Sequence, residues 1–146
     1  MTDRHPITLR PAAPADVDRI ASLFTDEGYP SGPSDIVERL ERFASPQSQV
    51  IVADHDGEIL GFIALHAIPR FEHSDRVLRI MALVVDPGVR ERGIGRLLMD
   101  EAERVGTELG AAFVEVTAGH HRPDAFRLYE ELGYDASVAA YLRKRL

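Results

Sequence analysis

Between Val84 and Asp100 the chain reads Val-Val-Asp-Pro-Gly-Val-Arg-Glu-Arg-Gly-Ile-Gly-Arg-Leu-Leu-Met-Asp. Arg90, Arg92 and Arg96 stand beside Gly93 and Gly95, where an apolar pattern of helical period begins: Ile94, Leu97, Leu98, Ala102, Val105, Leu109. No Ser, Thr, Asp or Asn occupies the expected N-cap, so the first N–H groups of that helix lack an obvious side-chain acceptor. An anion could supply one, because helix N-terminal amides and the macrodipole favour negative charge and glycine lets it come close. The spacing is neither G-x-G-x-x-G nor a P-loop with Gly-Lys-Ser/Thr. A tight strand-to-helix turn with arginines in solvent accounts for the spacing equally well.

Other residues carry chemistry in their type. Tyr129 lies one helical turn after Ala125, beside Leu128 and Leu132, and by itself reads as a packing tyrosine. Glu115 is an acid inside an apolar run, which calls for a partner or a role. His66 stands at a strand end, Glu72 and His73 in a loop, and His120-His121 ahead of the tyrosine's helix. Apart from that adjacent pair the six histidines show no regular metal-ligand spacing, and no metal is expected. Arg70, Arg76 and Arg79 could bind an anionic group, although arginines near a loop are commonly solvated.

The elements that must position these residues follow from periodicity and breakers. Ile7–Arg10 alternates as a first strand. A helix from Pro14 to about Glu27 carries Val17, Ile20, Ala21 and Phe24 on one stripe. After the breaker-rich loop 28–33, Ser34 is expected to cap a second helix with Ile36, Val37, Leu40 and Phe43 inward. Val50–Ala53 and Ile59–Ala67 are apolar strands joined at Asp56-Gly57, a hairpin signal. The loop Pro69–Asp75 leads to a strand over Arg76–Val85, then the organising helix to Gly110. A strand over Ala112–Thr117, a helix from Pro123 to Gly133 and a closing strand or hairpin over Tyr134–Arg145 complete the chain. The order is β-α-α-β-β-β-α-β-α-β. This is an α+β fold with a mixed, largely antiparallel sheet flanked by helices, read as a single domain over 1–146.

Composition narrows the classes. The chain has 146 residues, 45% hydrophobic and 28% charged, which is ordinary for a globular domain. A net charge of −7 argues against a nonspecific nucleic-acid binder. No apolar run reaches membrane-spanning length, and the N-terminus lacks a signal-like hydrophobic region. The expectation is a cytoplasmic protein without nucleic-acid or membrane partners, with a homodimer left open. There are no cysteines, so disulfides and thiolate zinc sites are excluded.

The run Val85-x-Pro87-x-x-Arg90-x-x-Gly93-x-Gly95 resembles the acetyl-CoA-binding motif of the GNAT superfamily of N-acetyltransferases. Ala125-Phe126-Arg127-Leu128-Tyr129-Glu130-Glu131-Leu132-Gly133-Tyr134 is similar to the family's C-terminal Ala-x-x-x-Tyr-x-x-x-Gly-Phe/Tyr segment. The resemblance implies acetyl-CoA as cosubstrate, its pyrophosphate at backbone amides from about Glu91 to Arg96, with Arg90, Glu91, Arg92, Gly93, Ile94, Gly95 and Arg96 as the cofactor-binding residues of the loop. It implies that pantetheine pairs with freed backbone at Leu83, Val84 and Val85, where two parallel strands splay apart. It makes Tyr129 the acid that protonates the CoA thiolate; the base many members carry on the strand before the loop is absent here, and Glu115, the acid inside an apolar run, is the candidate base. Tyr29, His66, Glu72 and Arg79 become candidates for the acceptor site.

The second block departs from the commonest family pattern, with Arg122 where many members have Asn. It is similar to a variant in small-molecule acetyltransferases, the aminoalkylphosphonate acetyltransferases among them. That branch places a histidine at His66 and a glutamate where this chain has Ala82. The expected activity is direct acetyl transfer to the primary amine of a small molecule. The alternatives are a non-catalytic CoA-binding module and a protein or peptide acetyltransferase.

Overall fold

Asp56 and Gly57 both take positive φ, 52° and 89°, the geometry of a two-residue hairpin turn. The turn joins β2 (Ser48–His55) to β3 (Glu58–Pro69). The Asp54 carboxylate tightens it by accepting from the Gly57 N–H at 2.7 Å. β1 (Thr8–Pro11) pairs antiparallel outside β2, and β4 (Arg76–Val85) antiparallel outside β3. β5 (Ala111–Glu115) pairs parallel to β4, giving a five-stranded sheet in the order β1-β2-β3-β4-β5. The computed structural model describes residues 6–119 and 122–146, with Glu91 through its backbone alone. The chain divides into two compact units, one ending at Val116 and the other Thr117–Leu146.

In the first unit α1 (Val17–Asp26) and α2 (Pro33–Arg42) cover one face of the sheet. Their core joins Ile20, Leu23 and Ile36 to Val52, Phe62 and Val84 of the strands. The second helix is capped by Gly32, not Ser34. Pro33 takes the first helical position, and the Asp35 carboxylate accepts from the Gly32 N–H at 2.8 Å. With that start Ile36 is buried while Val37 turns to solvent. α3 (Ile94–Glu108) crosses from β4 to β5 and packs on β3, β4 and β5 through Ile94, Leu98, Met99, Ala102 and Val105. Leu97, expected in its stripe, is exposed, and Met99 is buried in its place.

In the second unit α4 (Pro123–Glu131) ends at Gly133, whose φ is 91°. The stretch 134–145, read as a closing strand or hairpin, carries no strand. The Tyr134 N–H turns back to the Tyr129 carbonyl at 3.0 Å. The Asp135 carboxylate then accepts from both the N–H and the hydroxyl of Ser137, which makes a turn in place of extension.

One ion-pair network fixes the N-terminal strand to its helix. The Arg10 guanidinium donates to both oxygens of Asp16 at 2.8 and 2.9 Å, and its Nε donates to Asp54 at 3.0 Å. The Ala13 N–H adds a bond to Asp16 at 2.7 Å. Asp16 is 4% exposed, and its carboxyl is held below the usual range, chiefly by the Arg10 hydrogen bonds and against its own burial. A carboxyl depressed in the folded state contributes stability above its unfolded value, about 3.9, and loses it as pH falls through the folded value. Thermal denaturation from pH 7 to pH 3 is therefore expected to show a midpoint falling below about pH 5. Asp16→Asn should lower stability at pH 7 by about 1.5–3 kcal/mol, the worth of hydrogen bonds to a charged group, and flatten that acid limb. An acid limb identical in the variant would show that the pair does not carry it.

Candidate active site

β4 ends at Val85, and the chain turns at once. The Asp86 N–H donates to the Leu60 carbonyl at 2.8 Å, and the Asp86 carboxylate accepts from the Gly88 N–H at 2.8 Å. That backbone bond is the main cause holding the Asp86 carboxyl below its usual range, helped by an ion pair with Arg19. Arg19 also donates to the Ile59 carbonyl at 3.1 Å, so α1 is tied to both sides of the turn. A short 3-10 turn, Pro87–Arg92, follows. The Arg90 guanidinium pairs with the Glu27 carboxylate at 3.1 Å, which makes it a brace for the loop as well as a candidate ligand residue.

Gly93 adopts the left-handed conformation, φ 78°, and α3 starts directly after it with no side-chain cap. The uncapped start expected from the residues is present. Ile94 and Gly95 are buried, while Arg92, Gly93 and Arg96 are exposed. These features fit a pyrophosphate: free helix amides, a backbone without Cβ at Gly93 and two exposed cations.

The edge of β4 continues this site. Its parallel ladder with β5 runs from Arg76 to Arg79, opposite Ala111 to Glu115, and stops there. Beyond Arg79 the β5-facing backbone of β4 has no ladder partner among the described residues. Val84 points into the α1/α2 core at 3% exposure, whereas Leu83 and Val85 are half-buried. Backbone at Leu83 and Val85 is thus open to pair with an extended ligand chain. The β3–β4 register slips by one residue between Ala64 and Leu65, with Met81 the extra residue on β4.

Three candidates meet on this sheet. His66 stands opposite Arg79, and Arg79 opposite Glu115. Glu115 is exposed at the end of β5. Glu72 is exposed in the loop after β3. That loop is closed by Arg70, which holds Asp75 through two bonds of 2.6 Å and lies over the Phe113 ring at 5.1 Å. Arg70 is therefore engaged within the protein. Tyr29, 47% exposed, sits in the α1–α2 loop with its ring edge-on to Phe24, centroids 6.1 Å apart. In the second unit Tyr129 is buried on α4, its ring centroid 6.2 Å from that of Tyr134. His120 and His121 lie outside the described residues.

Two residues escaped the sequence reading. Asp86 carried a signal, since Asp-Pro-Gly is a side-chain-capped turn. Ser48, whose hydroxyl is 2.7 Å from Nδ1 of His66, carried none, because a serine at a strand start has no distinctive spacing.

The model of the acetyltransferase (GNAT) family matches residues 15–134. The chain belongs to this family. It is 34% identical over 92 residues to the aminoalkylphosphonate N-acetyltransferase of Salmonella typhimurium, covering 63% of this chain and 60% of that protein. It is 29% identical over 94 residues to YhfO, an uncharacterized N-acetyltransferase of Bacillus subtilis, covering 64% and 63%. The match thus spans less than two thirds of either relative's length. Among solved structures, a transcriptional regulator from Bacillus halodurans superposes with a TM-score of 0.88 at 24% identity, over 97% of this chain and 100% of that one. An aminoglycoside N-acetyltransferase solved with CoA superposes with a TM-score of 0.83 at 18% identity, over 100% and 99%. At these identities the superpositions show the fold.

The start of α3 gives a direct test. Gly95→Asp places a carboxylate among the amides, so acetyl-CoA affinity measured by calorimetry should fall at least about 10-fold, the equivalent of about 1.4 kcal/mol. Undiminished affinity in a variant shown by circular dichroism to be folded would rule these amides out as the anion site.

Proposed function

We propose that this protein transfers an acetyl group from acetyl-CoA to the primary amine of a small molecule. The observation that carries the reading is the union of an uncapped α3 start with an open β4 edge. Together they offer an anion site and, leading from it, a strip of unpaired backbone. Acetyl-CoA supplies the activated acetyl group. The open backbone of β4 orients its carrier arm, and an amide there polarises the carbonyl. The aminoalkylphosphonate N-acetyltransferase of Salmonella typhimurium supports a small amine as acceptor. The matched family segment runs through both compact units, which we take as one acetyltransferase domain. No described helix is long and apolar enough to cross a membrane.

Tyr129 is proposed as the acid that protonates the leaving thiolate. Its place in the Ala125–Tyr134 block supports this role. An ordinary phenol, with a pKa of about 10, is protonated at neutral pH and able to donate.

The experiment is CoA-thiol release against a panel of small amines, aminoalkylphosphonates and aminoglycosides included, with peptide amines alongside. Turnover confined to peptides would move the acceptor class to proteins. Tight acetyl-CoA binding without any turnover would identify a binding module. On the amine that proves active, Tyr129→Phe should lower kcat by about 10²–10⁴-fold, with acetyl-CoA affinity nearly unchanged. Near wild-type kcat with chemistry rate-limiting would leave Tyr129 a packing residue.

A further inference from the structure

Directly opposed residues on neighbouring strands point to the same face. The registers therefore set Ser48, His66, Arg79 and Glu115 in one row across β2, β3, β4 and β5. The row continues the face on which Val52, Phe62 and Val84 meet α1 and α2. Arg79 joins it only through the bulge at Met81. With an unbroken ladder Ile80 would stand opposite His66. The open edge of β4 begins just past Arg79, one strand over from His66. No carboxylate lies on β4, where Ala82 stands on this same face.

Ser48 is 7% exposed, and its Oγ is 2.7 Å from Nδ1 of His66. Ser48 also lines an open cleft of about 630 Å³, bounded by Pro11, Leu40, Phe43 and Val50 and without a charged side chain in its wall. Water in that cleft can accept the serine's own proton. With its proton on such a water the hydroxyl can accept from an Nδ1–H of His66, the tautomer that leaves a lone pair on Nε2.

We infer that His66 is the base for the acceptor amine and that Ser48 is the positioning residue that holds it in the Nδ1–H tautomer. The inference rests on the acetyltransferase reading above. An ammonium acceptor must lose two protons to become an amide. One ends on the CoA sulfur by way of Tyr129, and the other has to leave. His66 takes it: an N–H bond of the ammonium breaks, its electron pair stays on nitrogen, and the proton goes to Nε2. That pair forms the C–N bond to the acetyl carbon as the C–S bond breaks. The imidazolium, still donating from Nδ1 to Ser48, returns the Nε2 proton to solvent after product leaves. The groups flanking the ring in the row are Ser48 on β2 and Arg79 on β4, with Glu115 beyond Arg79.

The test uses His66→Gln, Ser48→Ala and Ser48→Thr in the full chain, with kcat and KM followed from pH 6 to pH 10 on the active amine. His66→Gln should lower kcat/KM for the amine about 10²-fold near neutrality. The deficit should shrink toward the amine's own pKa, where solvent supplies the free base, while KM for acetyl-CoA stays put. Ser48→Ala should lower kcat about 10-fold and move the ring's ¹⁵N signals away from the Nδ1–H pattern, and Ser48→Thr should restore both. A His66→Gln enzyme matching wild type at every pH, with chemistry rate-limiting, overturns the base and leaves the acetyltransferase reading standing. Wild type that acetylates no amine overturns both. Should His66→Gln fail to fold, the wild-type ring decides: an Nε2–H signal pattern overturns the assignment.

Discussion

The structure depends on the unequal pairing of one strand. β4 is laddered to β3 along its length but to β5 over only its first four residues, Arg76 to Arg79. Unpaired backbone donors and acceptors must find partners in water or in a ligand. That demand leaves the remaining edge able to pair with an extended chain. The bulge at Met81 lies in the same stretch and brings Arg79 into line with His66. Gly61 keeps the neighbouring strand close: a Cβ there would meet the Val84 carbonyl oxygen at 2.7 Å and Ile94 of α3 at 3.4 Å. The first turn of α3 is thereby fixed against the strand whose edge stays open.

Charge is arranged locally against the overall balance. The chain carries a net charge of −7, yet the turn between β4 and α3 is rich in arginine. Asp86 and Glu27 do not cancel that turn; they shape it. One caps the 3-10 segment and holds Arg19, and the other braces Arg90. Arg92 and Arg96 remain exposed beside free helix amides. Elsewhere arginines are spent on structure. Arg70 closes its own loop on Asp75, and Arg10 locks the first strand to Asp16. Similar residues thus serve different ends according to whether a carboxylate stands within reach.

The amino-acid sequence by itself determined the elements through Tyr129 and the uncapped start of α3 after Gly93. Periodicity and breakers are local properties, and Asp56-Gly57, Arg76–Val85 and Gly93 appear where such rules put them. Local rules misplaced what depends on competition between neighbours. Ser34 looked like a cap until Asp35 reached back to Gly32, and the tail after Gly133, read as a strand or hairpin, forms no strand. Only the tertiary structure decided which distant residues share a face. Ser48, His66, Arg79 and Glu115 are far apart along the chain, and a single bulge in β4 sets whether arginine or isoleucine faces the histidine. Strand register is fixed by burial of whole faces across the sheet, and no short stretch of sequence contains that information.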